Sequence, residues 1–271
     1  MGWEEAMNKT MDVVVGAPIH RRGAYIIDKF LSNQKEIQQN YPSSELILAT
    51  VEDDFIAELE SLLSSLGNTG KVILYETVKP DYAHNIIWNI TCGREAIRQY
   101  VLSQTEAKYL LFLDSDMTFH PSVIEIMKKE IQGYDVVHSG YALRHHFGVG
   151  LNGLGCSMLT RDILEKIRFR CCEFRNGEVV DEGSMLEMDL VRLRGRIKRG
   201  IFVSICHYEN ESEAKSIDPQ PLGLFQRMSN HSLVRYALIR TNITLRRDIT
   251  SRLKSLLYRF RRPWIRLLSK G

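Results

Sequence analysis

Short apolar runs alternate with amphipathic stretches along the first half of the chain. "MDVVVGAPI" (Met11–Ile19) is a β-branched run closed by Pro18, which predicts a buried strand followed by a loop. From Arg21 to Asn40, Ile26, Ile27, Phe30, Leu31 and Ile37 fall at helical spacing and predict one helix. "ELILATVEDD" predicts a second strand running into Glu52, Asp53 and Asp54, and "DDFIAELESLLSSLG" returns as a helix with Gly67 as its C-cap. "GKVILYETV" reads as a third strand, Asn89 to Gln104 as a third helix, and "KYLLFLDSD" as a fourth strand.

Beyond Pro121 a helix carries Val123, Ile124, Met127 and Ile131 on one face. "YDVVHSGY" predicts a fifth strand, and the glycine-rich "FGVGLNGLGCSMLT" leads into a helix, "RDILEKI". "IFVSICHY" predicts a last strand that carries His207 near its end. This alternation implies right-handed βαβ units, an α/β fold with a mostly parallel central sheet flanked by helices. Ligands of such sheets sit beyond the carboxyl ends of the strands. That rule sets the acids after the second strand and Asp114/Asp116 after the fourth on one rim, facing each other across a crevice.

Composition changes this picture little until charge is counted. With 271 residues, 44% hydrophobic and 25% charged, the chain suits one large α/β domain with or without an appendage. No apolar stretch approaches the ~18–20 residues that span a bilayer, and "MGWEEAMNKT" lacks the apolar run of a signal peptide. Cys92, Cys156, Cys171, Cys172 and Cys206 show no paired spacing, which points to a reducing, cytoplasmic setting. Residues 227–271 hold twelve Lys or Arg against one acid, Asp248. Since the whole chain carries +3, residues 1–226 are net acidic. The expected division is a catalytic body over residues 1–210 and a basic extension over 211–271.

The sharpest chemical signal is Asp114-Ser115-Asp116, at the exit of "YLLFL". Asp and Ser are common in turns and caps, yet paired like charges at the end of a buried strand call for a positive partner. Two carboxylates suit a hard divalent cation, Mg²⁺ or Mn²⁺, which prefers oxygen ligands and keeps positions open for phosphates. No Cys/His set has the spacing of a zinc site.

"VVVGAPIHRRGAYI", "CGREAIRQYVLSQTEAKYLLFLDSDMTFHPSVIEIM", "DVVHSGY", "GLGCSMLTRDILEKI" and "ICHY" occur in the order seen in nucleotide-sugar glycosyltransferases of the GT-A fold. The chain resembles the inverting family 2 group over about Asp12 to Tyr208. The resemblance implies that Asp116 is a direct metal ligand, and that Asp114 touches the ribose or reaches the metal through water. It implies His207 as a further ligand, and Pro18 with Asp53 or Asp54 as a cradle for the nucleoside. Arg94 would lie near the diphosphate, and Gly153 and Gly155 would let backbone approach the donor sugar. Inverting transfer needs a general base. The family's acidic pair is altered here, so Asp181 and Glu182 compete with Glu187 and Asp189, the last two standing nearer the family pattern. The implied donor is a UDP- or GDP-sugar and the acceptor a glycan or lipid-linked hydroxyl. Sugar-phosphate nucleotidyl transfer and a non-catalytic scaffold are the alternatives. His138, His145 and His146 read as a loop that meets the acceptor.

The tail "TLRRDITSRLKSLLYRFRRPWIRLL" sets Leu245, Ile249, Leu253, Leu256, Leu257 and Phe260 at spacings of three and four, with arginines elsewhere around the wheel. This basic amphipathic pattern predicts a helix lying on an anionic membrane surface, on the cytoplasmic face. Packing on the acidic body is the simpler alternative. No nucleic-acid platform is evident.

Overall fold

The computed structural model describes residues 11–77, 86–143, 148–173 and 179–245. His145, His146 and the tail pattern beyond Leu245 lie outside them. Seven strands form the central sheet: β1 (Val13–Pro18), β2 (Ser44–Thr50), β3 (Gly70–Leu74), β4 (Tyr109–Leu113), β6 (Val136–Ser139), β9 (Cys156–Thr160) and β12 (Ile197–Gly200). Their order is β12-β6-β9-β4-β1-β2-β3. β9 runs antiparallel to both neighbours, and the other pairings are parallel.

Alternation along β1 explains the two layers. Val13, Val15 and Ala17 point to the face covered by α1 (Ile27–Asn40), α2 (Asp53–Leu66) and α4 (Val123–Glu130), where Phe30, Leu31, Phe55 and Met127 are fully buried. Val14 points to the opposite face, packed by α3 (Ile86–Gln104), α5 (Arg161–Leu164) and α6 (Glu182–Arg192) through Ile97, Val101, Leu164 and Leu186. Burying each such side chain stabilises the fold by about 1.5–3 kcal/mol. Gly67 ends α2 at φ 67°, the left-handed C-cap expected of it.

Three predicted elements differ. The helix from Arg21 starts as a 3-10 turn over Arg21–Ile26, because the His20 ring accepts from the Arg22 amide and caps a tighter turn before α1. The glycine-rich stretch holds a strand, β9, whose "CSMLT" is buried on both faces and so lacks alternation. "IFVSICHY" is split. Its second half is β13 (Ile205–Tyr208), which joins β5 (Met117–Phe119) and β14 (Ala214–Ile217) in a small antiparallel sheet. The central sheet instead takes its edge strand β12 from the basic "IKRG". Two short hairpins, β7 (Tyr141–Ala142) with β8 (Val149–Gly150) and β10 (Cys172–Glu173) with β11 (Val179–Val180), complete the strands.

Candidate active site

β5 and β13 bring the DSD segment and His207 together. Met117, directly after Asp116, is opposite His207 across the β5–β13 ladder, and the Tyr208 amide donates to the Asp116 carbonyl at 3.0 Å. The His207 Nδ1–H donates to the Ala142 carbonyl at 2.7 Å. Its buried Nε2 makes no hydrogen bond among the described residues and stands 3.6 Å from Asp116 Oδ1. Because a carbonyl can only accept, Nδ1 must carry a proton, which leaves Nε2 on the side of the Asp116 carboxylate. The space between Nε2 and Asp116 Oδ1 is of a size that a proton or a cation fills. The edge of Tyr141 packs on the His207 ring at 5.6 Å and fixes its plane.

Asp114 has a different partner. Arg94, projecting from α3 and only 4% exposed, donates to Asp114 Oδ1 at 2.5 Å and to Glu182 Oε1 on α6. Thr91 donates to the other Glu182 oxygen at 3.1 Å. Burial alone would lower the guanidinium's pKa, but the Asp114 and Glu182 carboxylates outweigh it and raise it. Arg94 is therefore an internal strut that holds the DSD turn, its guanidinium engaged by two carboxylates. Among the described residues no group of three or more His, Cys, Asp or Glu side chains gathers closely enough to hold a metal ion. Asp116 and His207 stand as a pair, while Asp114 is turned to Arg94.

Gly153 and Gly155 have an internal reason to be glycine. A Cβ at Gly153 would meet the Tyr141 hydroxyl at 1.8 Å, and one at Gly155 would meet Asp114 Oδ2 at 2.7 Å. The close approach to this backbone is made by Tyr141 and Asp114 themselves. Burial, then the neighbouring Asp114 charge, raises the Tyr141 phenol and keeps it protonated.

A cleft of about 210 Å³ opens beside the pair, lined by Pro18, His20, Arg22, Tyr75, Asn89, Ser115 and Asp116 among others. It sits beyond the carboxyl ends of β1 and β4, the place the sheet rule assigns to a ligand. Pro18 lies where expected. Glu52, Asp53 and Asp54 do not face Asp116 across it. Asp53 and Asp54 occupy the first turn of α2, and Arg21 bonds Glu52, Asp54 and Glu58 instead. Tyr75, Asn89 and Tyr141 were not foreseen from the sequence because nothing in their local pattern sets them apart. Only the juxtaposition of β1, α3 and β4 does.

The four acids of the base region separate clearly. Glu182 is engaged by Arg94. Glu187, buried, pairs with Arg199 and lies 3.5 Å from Arg235. Asp189 is held by Arg170 on a different face of α6. Asp181 is exposed and caps α6, accepting from the Ser184 amide at 2.8 Å, with no salt bridge among the described residues. His138 is not in a loop: it is buried in β6, 2.7 Å from Ser157 Oγ, and burial followed by Arg199 and Arg235 pulls its pKa down to about 3.

No protein-family model matches the sequence, and no curated protein matches it. Similar solved structures include protein A197 from STIV, with 18% identity over 78% of this chain and 96% of that one, at a TM-score of 0.43. S. aureus TarS 1–349 in complex with UDP is 15% identical over 69% of this chain and 57% of that one, at 0.49. The mannosyltransferase PcManGT from Pyrobaculum calidifontis in complex with GDP-Man and Mn²⁺ is 12% identical over 70% and 54%, at 0.48. A CTP transferase and a diphosphocytidyl-erythritol synthase are similar to a like degree. The chain spans a little over half the length of the two glycosyltransferase chains. At these identities and TM-scores the likenesses carry no argument about chemistry. The structure itself shows an α/β fold built on a seven-stranded, mostly parallel sheet.

Proposed function

We propose that the cleft takes the nucleoside of a UDP- or GDP-sugar and that the chain transfers the sugar to an acceptor hydroxyl as a metal-dependent, inverting glycosyltransferase. The observation that carries this reading is the placement of the buried His207 Nε2 3.6 Å from Asp116 Oδ1, with Asp116 lining the cleft. Asp116 and His207 would be the side chains that hold Mn²⁺ or Mg²⁺. With only two protein ligands, the other positions fall to water and phosphate oxygens, as this class of ion prefers. The cation, when bound, supplies charge that stabilises the departing diphosphate.

The protein's own residues do the rest. Tyr75 and Pro18 offer apolar walls to a base or ribose, while Asn89 and Ser115 offer hydrogen-bonding groups. Arg94 pairs with Asp114, and Asp116, beside His207 and lining the cleft, is the DSD carboxylate that would hold the cation. Asp181 is the general base in this reading, because it is the exposed acid of the four and can take a proton from an acceptor. A glycan or lipid-linked hydroxyl would fit this open side. Sugar-phosphate nucleotidyl transfer is less favoured, since the guanidinium of Arg21, three residues past the first strand, is engaged by Asp54 and Glu58.

Asp116→Asn and His207→Ala should each abolish Mn²⁺-dependent stabilisation by UDP or GDP in thermal-shift assays and lower transfer at least about a hundredfold. Undiminished transfer in EDTA would overturn the metal reading. Failure to bind either nucleotide, with or without Mn²⁺, would favour a non-catalytic scaffold.

A further inference from the structure

Residues 224–245 turn the wrong face outward for a helical segment in water. In the helical residues 232–245, Ser232, Arg235, Tyr236, Ile239 and Ile243 are half-buried against the body. At about 100° per residue, Val234, Leu238 and Leu245 share the opposite stripe, and they are 44%, 61% and 52% exposed. The preceding helix α7 (Leu224–Ser229) exposes Leu224, Phe225 and Met228 likewise. Seven of the eleven large apolar side chains exposed among the described residues lie in this one segment.

Polar contacts fix that orientation. Arg235 reaches buried Glu187, the Asn152 side chain donates to the Asn230 side chain at 2.8 Å, and Arg199 donates to the Asn230 carbonyl and the Ser232 hydroxyl. The inner face is thus held by charge as well as by Tyr236, Ile239 and Ile243, while the outer stripe is apolar where a surface helix in water is polar. A basic rim surrounds it. Arg227 and Arg240 are exposed, and Tyr236 accepts from Arg240 and from Arg192, which adjoins exposed Leu193, Arg194 and Arg196. The 26 residues after Leu245 add nine Lys or Arg against Asp248 alone.

We propose that residues 224–245 are the face by which the protein lies on an anionic lipid bilayer, with Phe225, Leu238 and Leu245 entering the headgroup–acyl boundary and the arginine rim on lipid phosphates. A second copy of the chain is a poorer occupant, because a two-fold contact would set one cationic rim against another. The proposal is independent of the glycosyltransferase reading and is tested without donor or metal.

The full chain would be floated with vesicles of phosphatidylcholine alone or mixed with phosphatidylglycerol. We expect binding to the mixed vesicles only, weakened by high salt. Val234→Asp/Leu238→Asp should cut the partition coefficient at least about tenfold, since each buried Leu-sized side chain is worth more than a factor of ten. Phe225→Ser, on the other helix, provides a milder second variant, and circular dichroism with a melting curve checks that each is folded. Unchanged binding in both variants would overturn the proposal by assigning attachment to the basic segment alone. Absence of binding to mixed vesicles would also overturn it, whether the chain sediments as a monomer or as a dimer that Leu238→Asp dissociates.

Discussion

Arg94 shows how a residue's surroundings decide its role. An arginine at a helix start, upstream of a strand ending in DSD, reads from sequence as a phosphate ligand, yet its guanidinium is buried between Asp114 and Glu182. Removing it strands Glu182, a buried carboxylate, so Arg94→Met should cost about 3–5 kcal/mol in urea denaturation. Adding Glu182→Gln should recover part of that loss, because the stranded charge is then gone. His138 makes a second residue-scale prediction. Its folded pKa, about 3, lies below the ordinary 6.5, so the unfolded chain binds the proton first as pH falls. Its contribution is constant above pH 6.5 and declines from there toward pH 3, with a slope of up to about 1.4 kcal/mol per pH unit. Urea midpoints measured from pH 7 to 4 should fall less steeply in His138→Asn than in the parent chain.

At the scale of elements, the loop before β9 ties the site together. The Asp114 amide donates to the Gly155 carbonyl at 3.0 Å, and the Asp114 carboxylate fills the space a Cβ at Gly155 would take. Gly155→Ala should therefore push the DSD turn off its seat, costing about 1–3 kcal/mol and weakening nucleotide-dependent stabilisation along with it. A thermal-shift comparison in the presence of UDP and Mn²⁺ checks both effects. β1, β2, β4 and the helices that cover them were legible in the sequence, since long apolar runs and helical spacing are local signals. β9 and β12 were not. β9 is short and buried on both faces, and β12 reads "IKRG", whose pairing with β6 is decided by what lies across from it. The DSD turn was legible as chemistry. Which acid faces solvent and which one faces an arginine was not, because α6 presents Glu182, Glu187 and Asp189 to three different partners.

For the molecule as a whole, the same segment that exposes Leu238 outward anchors inward on Glu187, next to Asn152 and the loop of Gly153 and Gly155. The outward apolar stripe and the loop beside the site are thus joined through a few side chains. The antiparallel strand β9, wedged between β4 and β6, has one more consequence, for the chain as it is being made. β4 pairs on one side with β1, which precedes it, and on the other with residues 156–160, which do not yet exist when Leu113 is added. At about 5–20 residues per second, the ribosome takes roughly 2–10 seconds to supply them. For that interval the most apolar strand of the sheet has an open edge, of the kind that recruits other chains. The same delay, extended to residue 182, leaves Arg94 without its second carboxylate, so the strut under the DSD turn is completed only late in synthesis.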